Sequence, residues 1–146
     1  MRILLVDRDV FFTRSLHQAL AGSLELETVT DRDEGYRRAL EGDVDVVILA
    51  TGLEGLSGHE ICEEMRQQQV GTPVMIVSHS EQQGDELRAF SVGADDFVRK
   101  PVPLPVLAAR LHALARRVPS CATRSLAQAD ASDSPASSRR RGRRSP

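Results

Sequence analysis

The sequence predicts an α/β domain built on a parallel sheet with helices on both faces, and three observations carry that expectation. Ile3-Leu4-Leu5-Val6, Val46-Val47-Ile48-Leu49-Ala50 and Pro73-Val74-Met75-Ile76-Val77 are short apolar runs that do not alternate with polar residues. Unbroken runs of this length suit strands buried on both sides. Between them lie segments whose apolar residues recur at helical spacing. Strand and helix therefore alternate along the chain, as α/β architecture requires.

Ile3 to Val6 ends at Asp7 and forms the first strand. Asp9 is placed to cap a helix in which Phe12, Leu16, Ala19 and Leu20 repeat, ended by Gly22. Leu24 to Thr30 alternates loosely, as a strand with one exposed face would. Asp33 to Leu40 is a short second helix with Tyr36, Ala39 and Leu40 inward. After the third strand, Val46 to Ala50, a helical period begins at Gly58, with Ile61, Cys62 and Met65 on one side and carboxylates on the other. Pro73 to Val77 is the fourth strand, ending at Ser78; Leu87, Phe90 and Val92 mark a fourth helix closed by Gly93. Asp96-Phe97-Val98 is a brief fifth strand, Lys100-Pro101 a turn, and Leu104 to Arg117 a last amphipathic helix. Crossovers this short must be right-handed.

Ligands of open α/β sheets sit beyond the carboxyl ends of the strands, which puts Ala50 and Thr51 where chemistry is expected. Ala50 has no functional group. The stretch from Asp45 to Gly58 resembles the third strand and following loop of bacterial response-regulator receiver domains, whose pattern runs apolar-apolar-Asp-x-x-x-Pro-x-x-x-Gly. Ala50 stands where that family carries its phosphoryl-accepting aspartate, and Glu54 where it carries proline. Gly93-Ala94-Asp95-Asp96-Phe97-Val98-Arg99-Lys100-Pro101 is similar to the family's ending Gly-Ala-Asp-Asp-aromatic-x-x-Lys-Pro. The resemblance covers Met1 to about Arg117. It implies the flavodoxin-like fold of chemotaxis regulators, a (βα)5 doubly wound parallel sheet in strand order 2-1-3-4-5.

What the family uses for chemistry can be carried over residue by residue. Phosphoryl transfer needs positioning and charge stabilisation, and Mg²⁺ is usually held by one or two carboxylates with waters and phosphate oxygens. The acidic pair closing the family's first strand corresponds here to Asp7-Arg8, with Asp9 following in the capping position. Asp7, Arg8 and Asp9 thus form a degenerate acidic pocket, in which the second acid has become a cation and the nucleophile has become Ala50. With Arg8 and Lys100 both beside Asp7 the pocket is expected to be net positive. A guanidinium there would repel a divalent ion by about 8 kcal/mol at roughly 4 Å and an effective dielectric of about 20. No metal or other cofactor is expected. Ser78 matches the hydroxyl residue that turns toward the phosphoryl group, Lys100 the lysine that contacts it, and Phe97 the switching aromatic. Read without the family, Ser78 closes a strand, Phe97 fills the core and Lys100 pairs with Asp7, a pairing that specifies geometry more reliably than it stabilises.

Two surface features remain. Phe11, beside Val10 at the pocket mouth, is turned outward by the helical period and is a candidate docking patch. Asp96 and Arg110 match positions that form intersubunit salt bridges in receivers attached to winged-helix DNA-binding domains. The face made by the fourth helix, fifth strand and fifth helix is therefore a candidate homodimer interface, with an intramolecular or solvated pair as the equal alternative.

The 146 residues suffice for one domain, residues 1–117, and a tail, residues 118–146. The tail holds six arginines and two aspartates, a charge of +4, which leaves −6 on residues 1–117 for a total of −2. Its Ser, Ala, Pro and Arg composition predicts disorder. Cys62 and Cys121 make no disulfide framework, and His17, His59, His79 and His112 show no ligand spacing. No signal peptide and no membrane-spanning segment is expected, which places the protein in the cytoplasm.

These features predict a non-phosphorylatable receiver that is not an enzyme and works by binding other signalling proteins. No periodic segment after Arg117 suggests an output domain. The alternative is a nucleic-acid-associated protein using Arg139, Arg140, Arg141, Arg143 and Arg144, whose few phosphate contacts would give weak, salt-dependent binding. An active receiver is a third reading, and it would need a substitute nucleophile such as Thr51, whose hydroxyl forms no acyl phosphate.

Overall fold

Five strands and five helices alternate without exception in the computed structural model, which describes residues 1–22, 24–51, 57–79 and 83–117. The strands are β1 (Arg2–Val6), β2 (Glu25–Val29), β3 (Val46–Ala50), β4 (Val74–Ser78) and β5 (Asp96–Arg99). The helices are α1 (Val10–Leu20), α2 (Arg32–Glu41), α3 (Gly58–Gln67), α4 (Gln83–Ser91) and α5 (Leu104–Arg116). All pairings are parallel and the sheet order is β2-β1-β3-β4-β5. The direction of winding reverses between β1 and β3, which opens a crevice at their carboxyl ends.

The unbroken apolar runs are explained by burial on both faces. Leu4, Val6, Val47, Leu49, Val74 and Ile76 join Ala39, Ile61, Cys62, Met65 and Ala89 in a core under α2, α3 and α4. Their alternate neighbours Ile3, Leu5, Val46, Ile48, Met75 and Val77 pack with Leu16, Leu20, Leu107, Leu111 and Leu114 from α1 and α5. Side chains of a strand alternate between faces, so only a two-sided core makes every position of β3, and of β4 up to Val77, apolar.

Helix starts are fixed locally. Asp9 Oδ1 accepts from Phe12 N at α1, Asp31 from Glu34 N at α2, and Ser57 with Glu60 forms a capping box at α3. Gly42 closes α2 at a φ of 64°, where residues with a side chain are strained. Gly58 is required for another reason: a Cβ there would lie 2.6 Å from the carbonyl oxygen of Ala50. Thus α3 begins in direct backbone contact with the end of β3.

Some expectations shift. Ala19 is exposed, and the buried positions of α1 are Leu16 and Leu20. Leu87 and Phe90 mark the fourth helix, but they face outward and Ala89 takes the buried place. The helix bounds follow the caps: α2 starts at Arg32 because Asp31 caps it. Residues 118–146, including Arg139, Arg140, Arg141, Arg143 and Arg144, and also Glu54, lie outside the described residues. No helix among the described residues is long and apolar enough to cross a membrane.

Candidate functional site

The parallel sheet delivers four strand ends to one edge: Asp7 after β1, Ala50 at the end of β3, Ser78 at the end of β4 and Lys100 after β5. Backbone bonds hold the edge together, with Thr51 N donating to Val77 O at 2.9 Å and Lys100 N to Ser78 O at 2.8 Å. Lys100 Nζ lies 2.7 Å from Asp7 Oδ2 and 3.1 Å from Asp9 Oδ2. Its side chain is only 6 % exposed and that of Asp7 5 %. Lys100 therefore spends its charge on two carboxylates, and its Nζ also sits 4.2 Å from the centroid of Phe12.

Asp9, expected both as a helix cap and as a member of the acidic pocket, sits in this cluster. It caps α1 and binds Lys100, and His79 Nε2 stands 3.8 Å from it. The Phe12 backbone N–H, and after it Lys100 and His79, hold its carboxyl below the usual carboxylate value. Asp7 Oδ1 in turn accepts from Asp9 N at 2.9 Å.

Arg8 corrects the expected pocket. It is exposed and lines a separate depression of about 270 Å³ with Thr30, Asp31 and Arg32, on the β2–α2 side. The cause is the extended chain between β1 and α1, where alternate residues point to opposite sides. Asp7 and Asp9 share the Lys100 side and Arg8 takes the other. The cluster is thus two carboxylates against one ammonium and is not net positive. The expected repulsion of a divalent cation by Arg8 therefore does not apply at this cluster, where Lys100 is the cation facing both carboxylates. Among the described residues no group of three or more acidic, histidine or cysteine side chains could hold a metal.

Ala50 is buried at the strand end and offers a methyl group to the crevice. Ser78 is fully buried, and its hydroxyl donates to Asp85 Oδ2 at 3.1 Å, on α4. Sequence reasoning missed Asp85, because nothing in Gly84-Asp85-Glu86 separates it from a solvated charge. Phe97 is inward, in the core shared with α2, α3 and α4, with the Arg99 guanidinium 5.0 Å from its ring centroid.

Beside the Lys100 cluster a surface cavity of about 420 Å³ is lined by Phe11, Phe12, Ser15, His79, Val102 and Leu104 among others. Phe11 at its rim is 79 % exposed. Asp96 and Arg110 pair within the chain, Arg110 donating to both carboxylate oxygens at 2.9 and 3.0 Å. Arg99 reaches Glu86 at 3.4 Å, so charged pairs stitch β5 to α5 and to α4. Cys62 is buried, and desolvation raises its thiol pKa to about 11, which makes it inert.

The family described as "Response regulator receiver domain" matches residues 3–112. Transcriptional regulatory protein TcrA of Mycobacterium tuberculosis is 37% identical over 120 residues, which is 82% of this chain and 47% of that protein. Regulatory protein VanRB of Enterococcus faecalis is 35% identical over 118 residues, 80% of this chain and 53% of that protein. The chain spans about half the length of these curated relatives. Among solved structures, response regulator DrrB, a Thermotoga maritima OmpR/PhoB homolog, is similar with a TM-score of 0.70 and 27% identity. That match covers 80% of this chain and 52% of the other. The signal receiver domain of a putative LuxO repressor from Vibrio parahaemolyticus matches at a TM-score of 0.76 and 19% identity, over 87% and 96% of the two chains.

Proposed function

The chain belongs to the response-regulator receiver domains of two-component signalling, and from that premise we propose that it is a receiver that is not phosphorylated and acts by binding other signalling proteins. One observation carries the reading: the strand end that presents the family's phosphoryl-accepting aspartate carries Ala50, buried and without a nucleophilic atom. Phosphoryl transfer cannot proceed by positioning alone when no oxygen is there to receive the group. The Lys100 ammonium, which the resemblance assigns to the incoming phosphoryl group, is bound by Asp7 and Asp9. Thr51 is no substitute, since its hydroxyl lies 3.5 Å from Val77 O and forms no acyl phosphate.

The partners are signalling proteins, and two surfaces suit them. One is the aromatic rim at Phe11; the other is the face of α4, β5 and α5, where Leu87 and Phe90 are exposed beside the Asp96–Arg110 pair. We assign that second face to a homodimer. The nucleic-acid reading draws support only from the arginine run of the tail and is opposed by the −6 charge of residues 1–117, derived from the same composition. The decisive experiment is the intact mass of the chain before and after incubation with acetyl phosphate and Mg²⁺. No change in mass is expected; a hydroxylamine-labile adduct of one phosphoryl group would overturn the proposal.

A further inference from the structure

The surface cavity beside the Lys100 cluster joins apolar walls to an uncancelled charge. Helix α1 contributes Phe11 and Phe12 to it, and the chain leading from β5 into α5 contributes Pro101, Val102 and Leu104. Its volume of about 420 Å³ falls in the range that small organic ligands occupy, roughly 300 to 1,000 Å³. Its polar lining is Ser15 with a charged cluster of Asp9, His79 and Lys100. Apolar walls with a few fixed polar groups are the usual make-up of a small-molecule site. The cluster also lies past the carboxyl ends of β1 and β5, at the edge where ligands of open α/β sheets bind. Among the described residues its charges do not balance. Lys100 Nζ stands 2.7 Å from Asp7 Oδ2 and 3.1 Å from Asp9 Oδ2, so two carboxylates face one ammonium. His79 Nε2, 3.8 Å from Asp9 Oδ2, adds a charge only when protonated. Asp7 is closed off from solvent, whereas Asp9 is 27 % exposed and lines the cavity. The surplus negative charge therefore reaches the cavity through Asp9, whose carboxyl the Phe12 N–H and Lys100 keep ionised.

We propose that this cavity binds a small amine carrying an aromatic ring, the ring against Phe11 and Phe12 and the ammonium on Asp9. Charge sets the class of ligand. A carboxylate or phosphate would be brought against the surplus negative charge, whereas a single ammonium balances it and gains a charge-assisted hydrogen bond. Asp9 has the capacity: Oδ1 accepts from Phe12 N and Oδ2 from Lys100, and a carboxylate oxygen has a lone pair left after one donor. The wall sets the shape, since aromatic side chains favour a ring packed offset or edge-on against them, and the face of an exposed Phe also attracts a cation. The site depends neither on the absence of phosphorylation nor on the dimer face. It does cover Phe11, so a bound amine and a protein partner at that rim exclude each other.

Titration of the isotope-labelled full chain, followed by its amide resonances, tests the proposal with probes that share an indole ring. Tryptamine carries the ammonium, tryptophol a neutral hydroxyl in its place and indole-3-acetate a carboxylate. The titration is run at pH 8, where imidazole is ordinarily uncharged. Tryptamine should shift the amides of Phe11, Phe12, Ser15, Val102 and Leu104 and bind about tenfold more tightly than tryptophol. Indole-3-acetate should bind more weakly than either. Phe11→Ala, at an exposed position outside the core, should weaken tryptamine and tryptophol alike, by about fivefold. Asp9→Asn keeps an oxygen for the cap and should reduce tryptamine to the affinity of tryptophol. Equal affinities of the probes for wild type, a preference for the carboxylate, shifts confined to another surface, or binding indifferent to Phe11→Ala overturns the proposal. So does an advantage of tryptamine that survives Asp9→Asn. Should that variant not fold, the ranking of the probes on wild type decides alone. If none of them binds, the amine site is refuted and the aromatic rim is left to a protein partner.

Discussion

At the scale of single residues, Asp9 carries two separable contributions. Its Oδ1 caps α1 and its Oδ2 binds Lys100. Removing both with Asp9→Ala should cost about 1–2 kcal/mol, read from urea midpoints. Asp9→Asn keeps an oxygen for the cap and should lose less; equal losses would mean that the cap contributes nothing. Because the folded pKa of Asp9 lies below its ordinary value of 3.8, its contribution is present above that pH and is lost as pH falls through the folded value. His59 works in the opposite pH direction from a paired histidine. Burial lowers its pKa from 6.5, against smaller raising effects from the Asp85 carbonyl and the Asp85 and Glu60 charges, with Arg88 adding to the lowering. Above pH 6.5 both folded and unfolded states are neutral there; below it only the unfolded state takes the proton, so stability falls with pH. The thermal midpoint of wild type should therefore drop more steeply from pH 7 to 5 than that of His59→Leu. Parallel curves would show that His59 does not titrate differently on folding.

At the scale of elements, the contact between α3 and β3 is the most exacting. Alanine is ordinarily favoured over glycine inside a helix by about 1 kcal/mol. At Gly58 the added Cβ would meet Ala50 O at 2.6 Å and Leu49 Cβ at 3.0 Å, backbone and a strand residue that cannot step aside. Gly58→Ala should instead destabilise by about 1–3 kcal/mol, seen as a lower urea midpoint with the slope unchanged; a raised midpoint would mean that α3 can slide off the strand. The elements themselves were legible in the sequence because two-sided burial writes unbroken apolar runs into β1, β3 and β4. What was not legible is which side an isolated charge takes. Arg66 donates to the carbonyls of Gly93, Val70 and Thr72 and to Asp95, tying α3 to the start of β5, yet in sequence it reads as one more surface arginine. Arg8 and Asp9 show the limit from the other side. Alternation along the extended stretch Asp7-Arg8-Asp9 was available as a signal for which of them meets Lys100, but pairing with a family's acidic positions concealed it.

At the scale of the whole molecule, α4 presents two exposed apolar side chains. Single exposed apolar residues are common on protein surfaces and need no explanation. Leu87, 75 % exposed, and Phe90, 46 % exposed, lie one helical turn apart on α4. That helix is tied to β5 through Glu86 and Arg99, and β5 to α5 through Asp96 and Arg110. The three elements thus present one surface with an apolar pair set among charges already neutralised within the chain, which lowers the cost of bringing two such surfaces together. Sedimentation equilibrium should show concentration-dependent dimers, and Leu87→Glu should give monomers. Since Leu87 contributes nothing to the core, its thermal midpoint should match wild type, which separates loss of the interface from loss of the fold. Arg110→Ala should weaken the dimer only if Asp96 and Arg110 exchange partners between protomers; if they stay paired within each chain, association should be nearly unaffected. A wild-type chain that remains monomeric at high concentration would leave the apolar pair on α4 to a different protein partner and remove the homodimer from the proposal.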